Sequence, residues 1–146
     1  MAQAPHSPRI HEQLQAYWQS LRAGRAFPSE TDIDPVALND IWDACFLVSV
    51  EQGGFGYDYL GQALVNAYGD DVSGKEITEK LLFPHPKSLF DSFQRVARDG
   101  QPLIDESEFV NSQGQSIKYR SCLLPLAGAY GERPAFILGG MKWKAY

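Results

Sequence analysis

The chain has 146 residues, 44% hydrophobic and 21% charged, which is ordinary for one soluble globular domain. Its 13 basic and 18 acidic residues give a net charge of −5. A nucleic-acid partner is not expected, because Lys and Arg are scattered singly along the chain; the densest cluster, Lys142 and Lys144, is interpreted as solubilising. The first ten residues hold no apolar signal segment and no run approaches ~18 apolar residues. We therefore expect a cytoplasmic protein without a membrane partner.

Two cysteines, Cys45 and Cys122, lie inside apolar runs. Two isolated cysteines form neither a metal cluster nor a disulfide framework. We interpret both as buried, inert thiols in a reducing compartment.

The N-terminal segment, residues 1–34, is predicted to hold a tail, an amphipathic helix and a connector. The helix begins near Pro8 and ends at Gly24. Its apolar stripe has helical spacing and consists of Ile10, Leu14, Tyr17, Trp18 and Leu21. Such a stripe has to be buried, either against the outer face of a sheet or against a second copy of the helix.

The main domain, residues 35–146, begins with a short helix that Asp34 caps and Pro35 starts. Residues 45–51 and 55–61 form a hairpin of two strands, with Phe55, Tyr57 and Tyr59 on one face. Short helices are predicted over 62–69 and 75–82, and the longest helix over 85–100. Three strands follow.

The hairpin around residues 112–114 has a register that the sequence predicts. A three-residue loop with Gly114 in the left-handed position keeps charged and apolar side chains on separate faces, whereas a slip by one residue mixes them. The predicted pairs are Glu108 with Lys118, Glu106 with Arg120, Phe109 with Ile117, and Ser107 with Tyr119.

The stretch GDDVSGKE, residues 69–76, is one residue short of the phosphate-binding loop G-x-x-x-x-G-K-[ST]. Three observations argue against that function. The preceding residues are helical in pattern rather than a strand, Glu76 replaces the Ser or Thr that holds magnesium, and Asp70 and Asp71 would repel the phosphates.

The order of elements resembles that of the PAS fold, and FGYDYLGQALVNAYGDDVSG resembles its central signature. More narrowly, the chain is similar to short bacterial PAS proteins in the matches Leu21-Arg22-x-Gly24, Asp34-Pro35, Leu60-Gly61, and Gly69 to Gly74 with Asp71 and Ser73. It departs from them at Gly61, where many PAS domains carry Asn, and at Tyr59 and Gln62, where the narrower group has Arg and Thr.

The resemblance implies an α+β fold, in which a five-stranded antiparallel sheet has short helices on one face and the amphipathic helix is additional. It also implies a non-catalytic sensory or protein-interaction module of bacterial signal transduction. Because the chain ends just after the last strand, output is expected through its own surface. The expected route is a homodimer or a signalling partner that uses the apolar stripe. Replacing Tyr17 and Trp18 by Ala should then abolish association and leave the core folded.

A small ligand would lie between the sheet and the longest helix. Its candidate contacts are Tyr57, Tyr59, Leu64, Tyr68, Phe90, Phe93, Tyr119 and Ser121. The alternative is that these aromatic residues simply fill the core. The sequence requires no cofactor, and the ligand's identity stays unknown. Flavin photochemistry is not supported, because neither cysteine lies in a helical Asn-Cys-Arg motif. Haem would need His85 as its ligand.

The rival function is that of a small cone-shaped α+β enzyme of the ketosteroid-isomerase type. It requires a carboxylate or His base inside the cavity with a hydrogen-bond donor opposite. The strand residues Asp58 and Asp105 are the candidates, but alternation places Asp58 outside if Tyr57 and Tyr59 point in.

Overall fold

A single antiparallel sheet organises the computed structural model, which describes residues 9–51, 54–69, 76–77, 87–128 and 133–146. The strand order is β3-β2-β1-β6-β5-β4. The strands are β1 (Cys45–Glu51), β2 (Gly54–Leu60), β3 (Glu76–Ile77), β4 (Leu103–Val110), β5 (Ser116–Ala127) and β6 (Pro134–Ala145). The predicted five-stranded antiparallel sheet is confirmed, and the two-residue strand β3 extends it beside β2.

The helices agree with the predicted order except around residues 75–82. They are α1 (Ile10–Arg22), α2 (Gln62–Tyr68) and α3 (Lys87–Asp99). Glu76 and Ile77 were predicted helical, and that prediction is wrong, because both pair with β2. The predicted start of the first helix at Pro8, and that of the longest helix at residue 85, lie outside the described residues.

The second predicted helix is a pair of tighter turns. Asp34 caps the first one, since its carboxylate accepts a hydrogen bond from the Val36 amide at 3.0 Å. A 3₁₀ turn runs over Pro35–Leu38, and another over Trp42–Ala44 leads into β1. The cap prediction is confirmed, but the helix is a 3₁₀ turn that ends before Ile41.

The β4–β5 hairpin has the predicted register. Glu108 pairs with Lys118 and Phe109 with Ile117, as do the other predicted partners. Gly114 has φ +78°, the left-handed conformation that the loop requires. On the charged face, the Glu106 carboxylate accepts a hydrogen bond from Arg120 and forms an ion pair with it.

Helices cover both faces of the sheet, so the protein has two apolar cores. On the face called here the inner face, α2 and α3 pack through Leu64, Tyr68, Leu89, Phe93 and Val96. On the opposite, outer face, α1 packs over β5 and β6. The short helices on one face and the additional N-terminal helix are therefore as predicted.

The stripe of α1 is buried against the outer face, the first of the two expected alternatives. Leu14 and Trp18 are 0% and 2% exposed. The Trp18 Nε1 group donates a hydrogen bond to the Pro125 carbonyl of β5 at 2.8 Å. Leu14 lies against Gly140 of β6, where a side chain on residue 140 would overlap it. Ile10 and Tyr17 pack at the margin of this core, and Leu21 is half-buried.

Burial corrects the view that this stripe is a free interface. Leu14 and Trp18 already serve the outer core, so they are not available to a second chain while α1 stays on the sheet. In the part of the chain that is described, none of the helices combines the length and the apolar character needed to cross a bilayer.

Candidate functional site

The second strand contains a bulge that separates two of the predicted ligand residues. Leu47 of β1 pairs with Tyr59 and Val48 pairs with Tyr57, which leaves Asp58 as an extra residue in β2. Tyr57 therefore faces the inner core, whereas Tyr59 packs with the outer one. The assignment of Tyr59 to the ligand site is wrong, because the bulge breaks the alternation on which it rested. Asp58 is exposed, as predicted.

On the outer side, Tyr59 is held in a fixed position. Its ring stacks on Trp42 with centroids 4.5 Å apart, and its hydroxyl donates to the Trp42 carbonyl at 3.0 Å. Burial raises its pKa. Tyr59 therefore anchors the turn before β1 and belongs to the outer core.

The other predicted ligand residues do come together on the inner face. Except for Ser121, they belong to a single buried cluster, in which the ring centroid of Tyr57 lies 6.3 Å from that of Tyr68 and 6.5 Å from that of Phe93. The residues are Tyr57, Leu64, Tyr68, Phe90, Phe93, Tyr119 and Ser121. Edge-to-face contacts join Phe93 to Tyr57 and to Phe55. The rings therefore pack against one another between the sheet and the helices.

Two tyrosine hydroxyls meet at the centre of this cluster. The Tyr57 and Tyr68 oxygens lie 2.9 Å apart and form a buried hydrogen bond. Burial raises the pKa of Tyr57 and of Tyr68 well above the usual range. Both therefore remain neutral at physiological pH and can act as donors or acceptors.

Helix α2 brings Tyr68 to this position, and two contacts fix the helix. At its start, Gly61 donates from its amide to the Cys45 carbonyl at 2.9 Å. A Cβ on residue 61 would overlap the Asp43 carbonyl oxygen, so the strand and the turn can approach only at glycine. At its end, Asn111 donates to the Ala67 carbonyl at 3.0 Å.

Ser121 is a buried polar residue of the inner face. It lies two residues from both Tyr119 and Leu123 on β5, so its side chain has the same orientation as theirs. Its Oγ is buried and has no hydrogen-bond partner among the described residues. Leaving a buried hydroxyl unsatisfied costs about 1–3 kcal/mol.

The neighbouring carboxylate is Asp105. It pairs with Ser121 across the β4–β5 ladder, and it accepts a hydrogen bond of 3.3 Å from the Tyr119 hydroxyl. Asp105 is half-buried near the β4 edge of the sheet. The inner face thus has a polar end, which Asp105, Tyr119 and Ser121 form, beside its aromatic centre.

Both cysteines lie on strands and are buried in the outer core, as predicted for inert thiols. They flank Gly140, because Cys45 and Cys122 both pair with that residue. Two strand spacings of ~4.8 Å put their Cα atoms roughly 10 Å apart, beyond the reach of a disulfide. Burial raises the pKa of Cys45 and of Cys122 to about 12.

Several sequence predictions fall on other parts of the chain. His85, the candidate haem ligand, lies outside the described residues, as do residues 70–75 of the glycine loop. Gly69, where that loop begins, ends helix α2 with φ +82°. The loop therefore follows a helix, whereas a phosphate-binding loop follows a strand.

A cationic groove on the outer face is the feature that the sequence reasoning missed. The outer groove lies between the N-terminus of α1 and the sheet, has a volume of about 700 Å³, and is lined by cations and one acid. These charged residues are Arg9, Lys118, Arg120, Lys142, Lys144 and Glu106. The prediction of scattered basic residues is therefore corrected. The available signal was the spacing i, i+2 in both Lys118/Arg120 and Lys142/Lys144, which puts each pair on one face of a strand.

Comparison with known families identifies this fold. A family model described as PAS domain matches residues 6–142, and the chain belongs to that family. The match covers α1, α2, α3 and the sheet, except for the last three residues of β6. Among curated proteins, no sequence matches the chain.

Solved structures with this fold include light-oxygen-voltage (LOV) domains. A variant of Vivid is 14% identical, with 97% of this chain and 99% of that chain covered and a TM-score of 0.57. The Rhodobacter sphaeroides LOV protein is 13% identical, covers 68% of this chain and 58% of its own, and has a TM-score of 0.54. The LOV domain from an Erythrobacter litoralis blue-light activated histidine kinase is 12% identical, with coverages of 70% and 95% and a TM-score of 0.54. These likenesses establish the fold alone.

Proposed function

We propose that the chain is a non-catalytic PAS module that senses a small ligand on the inner face of its sheet in bacterial signal transduction. Its output passes through its surface, to a second copy of itself or to a signalling protein. Membership of the PAS family supports the sensory part of this proposal. The observation that carries the ligand part is the buried Ser121 hydroxyl without a partner among the described residues.

The inner face has the composition of a small-molecule site. Its aromatic centre supplies apolar contact area, and a few polar groups can fix a ligand's orientation. Ser121 and Tyr119 are two residues apart on the same face of β5, and the Tyr57–Tyr68 pair supplies two more hydroxyls. A ligand with one polar atom near Ser121 would offset the cost of burying that hydroxyl.

Ligands of two chemical types suit this face differently. A ligand that carries a negative charge would meet the Asp105 carboxylate, whose oxygen already accepts from Tyr119. A neutral ligand with a hydroxyl or carbonyl group meets no such repulsion. We therefore propose a neutral, largely apolar ligand with one or two polar groups.

The surface of α1 is the proposed route for output. With Leu14 and Trp18 engaged in the outer core, the accessible parts of the stripe are Ile10, Tyr17 and Leu21. A dimer or a partner would contact these three residues at the margin of the helix. Membership of the PAS family does not favour the isomerase-type enzyme or the haem sensor.

Native mass spectrometry of the protein as purified tests this proposal. An added mass that leaves on denaturation is expected, together with the mass of a dimer. Ser121→Ala should lower the occupancy of the ligand, and the matched control Ser107→Ala, on the neighbouring strand, should not. In the ligand-free protein, Ser121→Ala should raise the melting temperature, because it removes an unsatisfied buried hydroxyl. A bare monomer mass in every preparation would refute both the ligand and the dimer.

A further inference from the structure

We propose that the outer groove binds an acidic segment of a protein partner. Five cations and one carboxylate line it, in a chain whose net charge is −5. The groove therefore concentrates positive charge on one side of an otherwise acidic protein. Clefts lined by one sign of charge attract ligands of the opposite sign.

The strand register makes this concentration unusual. Arg120 pairs directly with Lys142, and Lys118 pairs directly with Lys144, across the β5–β6 ladder. Like charges placed opposite each other destabilise a sheet. Two such pairs stand side by side, since Lys118 and Arg120 are two residues apart on one face of β5. On β4, Glu106 and Glu108 stand opposite Arg120 and Lys118, but on β6 the residues opposite these two cations are the lysines Lys142 and Lys144, an arrangement that binding of an anion would stabilise.

The acids nearby leave most of this charge uncompensated. Glu106 pairs with Arg120, and Glu108 accepts a hydrogen bond from the Tyr146 hydroxyl. Among the described residues, no carboxylate forms an ion pair with Lys118, Lys142 or Lys144. Three ammonium groups are therefore free to bind carboxylates of another molecule.

Helix α1 closes one side of the groove with further positive potential. Arg9 is its N-cap residue, and Arg9, Ile10 and His11 line the groove. The N-terminus of this 13-residue helix carries a partial positive charge, which Glu12 in the first turn offsets in part by accepting a hydrogen bond from the Arg9 amide at 3.3 Å. The wall is thus cationic and also offers the aliphatic side chain of Ile10.

A short acidic peptide fits these features better than a long polyanion. The remainder of the protein is negatively charged and repels an extended phosphate backbone or an anionic membrane. A segment of a few Asp or Glu residues places its carboxylates on the free lysines and contacts little else.

This inference rests on the part of the proposed function that assigns output to a protein partner. The two can fail separately. Absence of the ligand mass would refute the proposal of ligand sensing but not that of peptide binding in the groove. Failure of peptide binding would refute the groove proposal but not that of ligand sensing.

The experiment measures fluorescence anisotropy of a fluorescein-labelled decaglutamate peptide with the full chain. We expect saturable binding at 50 mM salt that weakens as salt rises. Arg120→Gln with Lys142→Gln should weaken it roughly tenfold. The matched control, Arg95→Gln with Arg98→Gln, removes two exposed cations of α3 and should leave affinity unchanged. Lys118→Gln with Lys144→Gln, which keeps the Glu106 ion pair, provides a second test if the first variant does not fold.

Three outcomes would overturn the proposal. The first is no binding of decaglutamate at 50 mM salt. The second is an equal loss of affinity in the groove variants and in the α3 control. The third is tighter binding of a thymidine decamer or of phosphatidylserine vesicles than of the peptide, which would assign the groove to a nucleic acid or a membrane.

Discussion

The hydroxyl oxygens of Tyr57 and Tyr68 lie 2.9 Å apart and join β2 to the end of helix α2 inside the inner core. Tyr57 is 2% exposed and Tyr68 is fully buried. Since burial raises the pKa of both phenols, they stay neutral in the folded protein well beyond the pH at which they ionise in the unfolded chain.

Stability should therefore fall at alkaline pH. Because the folded-state pKa values are raised, the tyrosines' contribution is complete below about pH 10, the unfolded value, and is lost as pH rises above it. At pH 11, the two phenols together should lower the free energy of unfolding by about 2–3 kcal/mol. Tyr57→Phe with Tyr68→Phe should reduce this loss, whereas Tyr59→Phe should reduce it less. Urea unfolding at pH 7 and pH 11 measures the difference, and equal losses in all three proteins would contradict the assignment.

The thiols of Cys45 and Cys122 should be unreactive in the folded state. Burial raises the pKa of each to about 12, and the thiolate is the reactive species. At pH 8, Ellman's reagent should therefore modify neither cysteine in the native protein and both in 6 M guanidinium. Rapid modification of a native thiol would show that α1 leaves the outer face.

Gly61→Ala should destabilise the protein strongly. The new methyl group would overlap the backbone carbonyl of Asp43, which cannot move without displacing the turn before β1. We expect a loss of about 3 kcal/mol in urea unfolding. Gly114→Ala is the control, because only its left-handed φ is unfavourable and nothing lies within 4 Å; it should cost about 1–2 kcal/mol. Equal losses would mean that the close approach at Gly61 relaxes easily.

Trp18→Ala should lower the free energy of unfolding, and its effect should not be limited to association. It removes a large side chain from the outer core, at an expected cost of about 3–5 kcal/mol. Trp18→Phe keeps most of the packing but leaves the Pro125 carbonyl without its donor, at about 1–3 kcal/mol. Gln19→Ala, at the adjacent exposed position, should change stability by less than about 0.5 kcal/mol. An unchanged unfolding midpoint for Trp18→Ala would show that α1 contributes nothing to the fold.

The sequence predicted those parts of the fold whose signals are local. The β4–β5 register follows from side-chain alternation and from Gly114, and the structure has that register. Asp34 marks the start of a helical turn and Gly69 marks the end of α2, and both signals depend only on the residue type at that position. Seven of the eight proposed ligand residues share the inner face for the same reason.

The rest depends on relationships between distant residues. Tyr59 was misplaced because a bulge shifts the alternation, and nothing in FGYDYLG marks Asp58 as the extra residue. The outer groove depends on the β5–β6 register, which brings Lys118 beside Lys144. Whether α1 would cover the sheet or another chain was also undecidable, because an amphipathic stripe does not specify what buries it.

The bulge at Asp58 places the two tyrosines that flank it on opposite faces of the sheet. On one side of the sheet, Tyr57, which precedes Asp58, contacts Tyr68; on the other side, Tyr59, which follows Asp58, stacks on Trp42. Both tyrosines are bonded to the one bulged residue, so a ligand that displaced Tyr57 is expected to shift the backbone that also carries Tyr59. The bulged segment therefore connects the inner core to the Trp42 turn on the other face of the sheet.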